Sequence, residues 1–365
     1  MAVKSPCTDE CSVNRKSKIC ISCFRTIDEI RGWEKMTDHR RHQVLRERGR
    51  RAAKLAASAI AVAAVCLLFA PLPCGAHAIA GNRFFPGTTT FDDPAVADEF
   101  QVIYDTVRTP LGNGRVTDHV GDFQFARLLT DRIAIGAESG AIERSWGSAK
   151  QTGAMGTSVN LKANFYRDDL NETLFATSLT YAIANSGSAR VGARTPSSLQ
   201  PALFAGQGLG NLPETVAWLR PLGFVGAAAV EFPMRGSTAS LDYDDGRTVS
   251  MAERSRTPAT LHTGFAVEYS TLYLTDRFVP GRLPDEEPLF QVLPVVEFAF
   301  DSPQGEKSRG TVNPGLSYIH DEWQISAEAV VPLSRLAGGG VGFRLQVLTF
   351  LDKIVPGFAE PIFGR

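Results

Sequence analysis

The sequence predicts a mainly β protein, an antiparallel membrane β-barrel of about 10–12 strands that follows a small four-cysteine module and a signal or anchor helix. Three observations predict this arrangement. Residues 79–365 contain long runs in which apolar and polar residues alternate, an uncharged apolar stretch precedes those runs, and all six cysteines lie before residue 79. We therefore divide the chain into three parts, at residues 1–50, 51–78 and 79–365.

The charge balance supports this division. The 365 residues contain 38 Lys and Arg against 39 Asp and Glu, for a net charge of −1. Residues 1–58 contain 14 basic and 7 acidic side chains, whereas residues 79–365 contain 24 basic and 32 acidic ones. A net charge near zero excludes a globally basic nucleic-acid binder, so no nucleic acid is expected among the partners.

The uncharged stretch has the features of an export signal. Leu55–Ala70 contains only apolar residues apart from one Ser and one Cys, a basic segment precedes it, and prolines follow it. Ala76 and Ala78 then form a small-x-small cleavage site, which is typical of a secretory signal peptide. Sixteen helical residues span roughly 24 Å, less than the ~30 Å hydrocarbon core. Residues 51–78 are therefore predicted to be a cleaved signal, with a retained signal anchor as the alternative.

Four cysteines in the first 50 residues predict a metal site. Cys7, Cys11, Cys20 and Cys23 precede the export signal, on the cytoplasmic side, where thiols stay reduced. Four thiolates within 17 residues suit one tetrahedral metal ion or one cluster, and the spacing leaves zinc and an iron–sulfur cluster both open. Disulfide pairing is the alternative if this segment is exported.

A helix is predicted directly after these cysteines, because Thr26 and Glu29 have the spacing of a capping box. This part of the chain resembles a small bacterial domain of unknown function that is labelled a predicted iron–sulfur protein. The resemblance implies the four cysteines as ligands and favours an iron–sulfur cluster. It rests on Ser5-Pro6-Cys7, Cys11, Cys20, Cys23, Arg25-Thr26, Glu29-Ile30, Trp33, Met36 and Val44-Leu45.

The sequence of residues 79–365 predicts β-strands. In Met155–Tyr166, for example, mainly apolar residues alternate with mainly polar ones. Pro213 and Glu214 open a segment, 212–220, that predicts a short loop helix. Twelve candidate strands lie near 99–107, 119–129, 132–143, 155–166, 172–184, 199–206, 222–232, 260–275, 288–300, 311–320, 322–332 and 340–351.

Strand length predicts the setting of this sheet. Several of these runs exceed the usual 5–6 residues of soluble strands and fit the 9–11 residues that cross a membrane. Only a closed barrel leaves no strand edge unpaired in lipid. With the export signal, this predicts an outer-membrane barrel of a Gram-negative bacterium, whose partners are the lipid bilayer and the export and barrel-assembly machinery. A secreted soluble β-sandwich is the alternative.

The last 55 residues resemble the C-terminal hairpins of proteobacterial outer-membrane transporter-like, porin-like barrels. The resemblance implies a passive channel or transporter-like protein for small solutes. It rests on Asn313–Tyr318, on Trp323-Gln324 with Ala327–Ala329, on Gly340–Gly342 with Arg344 and Gln346, and on Phe350–Asp352 with Ile354 and Pro356.

If the apolar faces meet lipid, charged residues on the other faces point into the lumen. They either neutralise one another in a filled barrel or form a selectivity ring for small solutes. Glu328 and Arg344 are expected to pair across successive strands. No nucleophile–base arrangement is recognisable, so no enzyme activity is expected. A membrane-anchored iron–sulfur or zinc protein with a soluble periplasmic β domain is the alternative function. The candidate lumen residues are Glu138, Lys162, Glu268, Glu297, Glu328 and Arg344.

Overall fold

The structure is a computed structural model, and its contacts divide the chain into two units, Met1–Leu72 and Pro73–Arg365, which are described separately. Of the predicted site residues, Cys7, Cys11, Ala76 and Ala78 lie outside the described residues. The structure describes residues 5, 19–20, 23, 25–48, 51, 79–111, 114–234, 238–244, 248–254, 257–278, 291–358 and 360–363.

The N-terminal unit contains a tight turn followed by short helices. Helix α1 (Ile27–Arg31) begins at the predicted capping box, in which the Thr26 hydroxyl accepts from the Glu29 backbone and the Glu29 carboxylate accepts from the Thr26 backbone. A 3₁₀ turn at Trp33–Lys35 and a second helix, α2 (38–48), follow. Within the described part of the chain, no helix has the length and hydrophobicity needed to cross a membrane.

The second unit is built from seventeen strands among the residues that the structure describes. Two short α-helices, α3 (Thr271–Phe278) and α4 (Leu351–Ile354), and a 3₁₀ helix at Glu214–Leu219 lie between or after the strands. The strands are β1 (Ile79–Ala80), β2 (Arg83–Phe84), β3 (Glu99–Leu111), β4 (Gly114–Thr130), β5 (Ile133–Trp146), β6 (Ala149–Ala154), β7 (Ser158–Asp168), β8 (Thr173–Ala182), β9 (Ser198–Gly208), β10 (Leu222–Pro233), β11 (Thr238–Asp244), β12 (Thr248–Arg254), β13 (Thr260–Tyr269), β14 (Gln291–Pro303), β15 (Arg309–Ile319), β16 (Trp323–Pro332) and β17 (Gly342–Phe350).

The long strands close into a twelve-stranded antiparallel barrel. Each pairs with its neighbour along the chain, and β17 pairs with β3, so that the first and last strands meet. β6 and β7 both pair with β5, at its end and its beginning, and together they make one interrupted position in the ring. β11 and β12 form a separate hairpin. The predicted fold class is confirmed, and each of the twelve predicted strands overlaps a barrel strand.

One predicted boundary is wrong. The strand expected over 260–275 ends at Tyr269, and α3 begins two residues later. Ser270 explains the break, because its hydroxyl donates to the Gln291 side chain while its carbonyl accepts from Leu274 and so begins a helical turn. The segment predicted as one strand over 260–275 therefore contains a strand followed by a helix.

The two faces of the barrel differ in polarity. Large apolar side chains point outward along every part of the ring, and Leu203 has 60% of its surface exposed. This is the apolar outer band expected of a barrel in lipid. The outward-facing set includes Phe100, Phe123, Ile135, Leu161, Leu179, Leu203, Leu261, Phe265, Val292, Leu316 and Val347.

The two ends of the barrel are distinguished by their turns, and we call them the proximal and the distal end. The proximal end carries the turns at 131–132, 169–172 and 320–322, and here the chain enters β3 and leaves β17. The distal end carries the turns and loops at 147–148 and 183–197.

Candidate functional site

The candidate lumen residues lie on the inner face, where a segment of the chain covers all of them except Glu138, which is exposed. Glu268 and Glu297 are each 1% exposed and Glu328 is 2% exposed. Lys162 is also buried, and the Arg344 side chain is largely so. The covering segment is residues 79–98, which we call the plug. It runs from β1 to the start of β3 and contributes no strand to the barrel.

The plug starts with the β1–β2 hairpin at the proximal end. Gly81 has a φ of +60°, a left-handed conformation that favours glycine, and its N–H donates to the Asp169 carboxylate at 3.0 Å. Asp169 lies in the proximal turn between β7 and β8. The hairpin is therefore attached to the rim of the barrel at this end.

Arg83 is the polar anchor of the plug and is fully buried. Its guanidinium donates to the carbonyl oxygens of Arg220, Pro221 and Leu222 at 2.6, 3.0 and 3.2 Å. The same group donates to Glu172 at 3.3 Å. Arginine can make this set of bonds because its planar fork carries five donors.

Two carboxylates and an aromatic ring complete the Arg83 pocket. Glu268 lies 3.8 Å from the guanidinium, and the Tyr273 ring lies 4.4 Å from it. Tyr273 also donates its hydroxyl to Glu172, which accepts the Gly210 N–H at 2.8 Å as well. Burial raises the pKa of Glu172, a turn residue, and the Arg83 charge opposes that rise.

Two phenylalanines give the plug its apolar anchor. Phe84 packs against Leu293, Ile319 and Leu348 of the wall, and its ring meets that of Phe350 edge-on at 6.1 Å. Burial of one such side chain contributes roughly 1.5–3 kcal/mol.

Phe85, with no exposed surface, lies in a second cluster with Leu174, Val225 and Val295. The wall provides room for it at Gly206, where an added Cβ would lie 3.1 Å from the Phe85 ring and 3.0 Å from Pro94. The hydrophobic core of this unit thus lies inside the barrel, between the plug and the wall.

The deepest part of the plug meets two glutamates on neighbouring parts of the wall. The backbone N–H groups of Thr89 and Thr90 each donate to Glu297 at 2.9 Å. The Thr89 hydroxyl donates to Glu328. In register, Glu297 lies opposite Asn313, and the Asn313 amide donates to the Thr90 hydroxyl at 2.7 Å. Plug and wall therefore satisfy each other's polar groups.

The expected ion pair between Glu328 and Arg344 is replaced by another contact. The two residues are register partners on β16 and β17, but the Arg344 guanidinium turns to Asp105 on β3, at 2.6 and 3.1 Å. It also donates to the Thr90 hydroxyl at 2.7 Å. Because Asp105 and Thr90 bind the Arg344 guanidinium, Glu328 accepts a hydrogen bond from Thr89 instead.

Lys162 holds the returning half of the plug. Its ammonium lies 2.8 Å from Asp92 and 3.6 Å from Asp93, and 5.0 Å from the centre of the Phe204 ring. Burial raises the pKa of Asp93, which belongs to the plug and to no strand, to about 6, while the Lys162 charge opposes the rise. Asp98 then ends the plug by accepting the Leu128 N–H at 2.7 Å.

The lumen is only partly filled. A small cleft of about 30 Å³, partly open to solvent, remains between the plug and the wall formed by β4, β5 and β7. Gln124, Glu138 and Lys162 line it from the wall, and Asp92 lines it from the plug. The contacts of the plug close the lumen beside this cleft.

Sequence reasoning did not find the plug. Its residues show neither strand nor helix periodicity, so no element was predicted within residues 79–98. The one available signal was the position of several glycines on inner faces of predicted strands. Gly264 illustrates this, because an added Cβ there would overlap the Phe91 ring. Glycines on a wall mark a place where another part of the chain approaches closely.

The N-terminal unit brings two of the four predicted ligands into the described structure. Cys20 and Cys23 are each 1% exposed, and Arg25 Nε donates to the Cys23 sulfur at 3.5 Å. The Cys20 N–H donates to the Arg25 carbonyl at 2.8 Å, which closes the turn between them. Across the residues that the structure describes, no group of three or more His, Cys, Asp and Glu side chains is arranged around a metal position.

A family model matches the N-terminal end of the chain. Residues 5–52 match a family described as a protein of unknown function (DUF1289). No curated protein matches the chain. The family match covers only the N-terminal part of the sequence, so it describes the small module and not the barrel.

Solved structures resemble the barrel. The COG4313 outer membrane channel from Pseudomonas putida F1 has a TM-score of 0.44 and 9% identity, over 69% of this chain and 94% of that one. The KdgM porin has a TM-score of 0.38 and 12% identity, over 69% and 98%. The β domain of the Bordetella autotransporter BrkA has a TM-score of 0.41 and 12% identity, over 69% and 99%. These similarities concern the barrel architecture and identify no solute.

Proposed function

We propose that the barrel is an outer-membrane channel for small solutes and that the plug closes its lumen. The observation that carries this proposal is the chemistry of the lumen. Polar and charged groups line it, and a separate segment, 79–98, binds several of them, including Glu297, Glu328 and Lys162. Such a segment can leave without breaking any strand pairing of the ring.

The apolar outer face supports a membrane setting. Side chains such as Leu203 and Phe265 would face water in a soluble periplasmic domain, whereas lipid accommodates them. In this proposal the lipid bilayer surrounds the barrel, the export and barrel-assembly machinery deliver it, and the N-terminal module stays in the cytoplasm. The soluble alternative is disfavoured by the same outward-facing side chains.

Removing the plug tests the channel. We expect a chain that lacks residues 79–97 to show steady conductance in a planar lipid bilayer, because Ala78 then precedes Asp98 and the ring of strands is unchanged. The intact chain should be mostly closed. A chain that lacks residues 238–254 of the separate hairpin, a deletion of similar length, is the control and should behave like the intact chain.

A plug-deleted barrel that migrates as a folded, heat-modifiable band and still shows no conductance would refute the proposal. The heat-modifiable migration reports folding independently of the conductance. Absence of current therefore reflects the lumen and not a failure of assembly.

A second proposal concerns the N-terminal module. We infer that Cys7, Cys11, Cys20 and Cys23 bind an iron–sulfur cluster or a zinc ion. What supports this is the burial of Cys20 and Cys23, which have the C-x-x-C spacing of metal ligands, and the Arg25 donor beside the Cys23 sulfur. Within the module the cysteines would supply the ligands and Arg25 would orient Cys23.

Metal content tests this second proposal. We expect one zinc ion or one cluster per full-length chain after anaerobic purification from the cytoplasm, with visible absorption only for the cluster. Replacing both Cys20 and Cys23 by serine should remove the metal, whereas Cys66→Ser should retain it. Full-length chain without stoichiometric zinc or iron would contradict the proposal.

A further inference from the structure

The two glutamates that hold the tip of the plug have more acceptor capacity than the plug fills. Glu328 uses one oxygen for the Thr89 hydroxyl, and its other oxygen is buried with no hydrogen-bond partner. Its carboxyl group also meets that of Glu297. Gly315 permits this approach, because an added Cβ there would lie 2.5 Å from Glu328 Cγ. The two carboxyl groups therefore lie against each other, with one oxygen of Glu328 still unpaired.

The plug presents only hydrogen-bond donors to this site. Two backbone N–H groups and one hydroxyl, from Thr89 and Thr90, point at the two carboxylates. When the plug leaves, these donors leave with it, and the carboxylates face the lumen. Water or a cation must then replace the donors, because an unsatisfied carboxylate in a confined space is costly.

Other inner-facing side chains of the wall are also mainly acidic. Glu268 is buried at the inner face, neither of its oxygens has a hydrogen-bond partner, and its nearby cation, Arg83, belongs to the plug. Asp105 has one buried oxygen without a hydrogen-bond partner. Among the described wall residues that surround the plug and the cleft, acidic side chains outnumber basic ones. The carboxylates are Asp105, Asp122, Glu138, Glu268, Glu297 and Glu328, and the cations are Lys162 and Arg344.

We infer that the open channel selects small cations over anions and that the Glu297–Glu328 pair is its selecting site. The inference rests on the proposed channel function and names the class of solute. Charged side chains that ring a pore select ions of the opposite charge. The plug closes the pore by satisfying the same carboxylates that a cation contacts during passage.

Reversal potentials in a KCl gradient test the selectivity, with the plug-deleted chain in a planar bilayer. We expect potassium to be preferred over chloride. In the same background, Glu297→Gln with Glu328→Gln should lower the permeability ratio by about tenfold, because each removed charge acts on an ion at close range. The matched control is Glu143→Gln, on the outer face of β5, which should leave the ratio unchanged.

Each outcome decides between the two proposals. Conductance without a preference, or with a preference for chloride, overturns the cation selectivity and leaves the channel standing. A potassium preference that survives both glutamine substitutions overturns the role of this pair. No conductance from the folded plug-deleted barrel refutes the channel itself and the inference with it. If that chain does not fold, the Arg83→Met chain supplies the open state.

Discussion

Replacement of Arg83 by methionine is expected to release the plug. Methionine preserves much of the volume and removes the charge, so that Glu172 and Glu268 lose their cation and the carbonyl oxygens of 220–222 lose their donor. Breaking a buried pair by removing one partner costs about 3–5 kcal/mol. The fraction of undocked plug should therefore rise roughly 10²- to 10⁴-fold.

Thiol labelling measures that fraction. Residues 79–365 contain no cysteine, so Thr88→Cys places a single thiol in this part of the chain, within the buried part of the plug. A water-soluble maleimide should modify it slowly in the parent chain and much faster with Arg83→Met. Arg194→Met, an exposed arginine of the distal loop, is the control and should leave the labelling rate unchanged.

Arg83→Lys separates charge from geometry. Lysine keeps the charge but cannot make the same fan of bonds to three carbonyl oxygens, so we expect an intermediate labelling rate. If Arg83→Met labels no faster than its parent, Arg83 is not the anchor. Heat-modifiable migration should be retained in each variant, because no strand pair of the barrel uses this side chain.

The barrel was predictable because its wall repeats one physical rule. Every strand has one face toward lipid and one toward the lumen, so alternation marks each strand and even the number of strands could be counted. The same alternation placed Glu297 and Lys162 on one face. The capping box at Thr26 was predictable for a similar reason, since two residues three apart form it by themselves.

The plug was not predictable, because its conformation is determined by partners far away in the sequence. Arg83 is bound by residues near 172, 220 and 268, and Thr89 by glutamates more than 200 residues away. No local periodicity encodes such contacts. Gly206 shows the same limit, because it lies in β9 and makes room for Phe85, a residue far away in the sequence.

A disulfide can test whether the plug must move. An added Cβ at Gly264 would lie 2.7 Å from Phe91 Cε1 and within about 4 Å of Phe91 Cβ, a separation that suits a disulfide. Phe91→Cys with Gly264→Cys therefore replaces the ring by a bridge between the plug and β13. We expect this bridge to form readily, since residues 79–365 contain no competing cysteine.

Conductance of that double-cysteine chain, before and after a reductant, is the most direct test of the plugged-channel account. We predict no openings in the oxidised state, a return of openings on reduction, and no response to the reductant from either single-cysteine chain. The plug-deleted chain should conduct steadily throughout. If the oxidised, cross-linked barrel conducts as steadily as the plug-deleted one, residues 79–98 do not close the lumen and the account is contradicted.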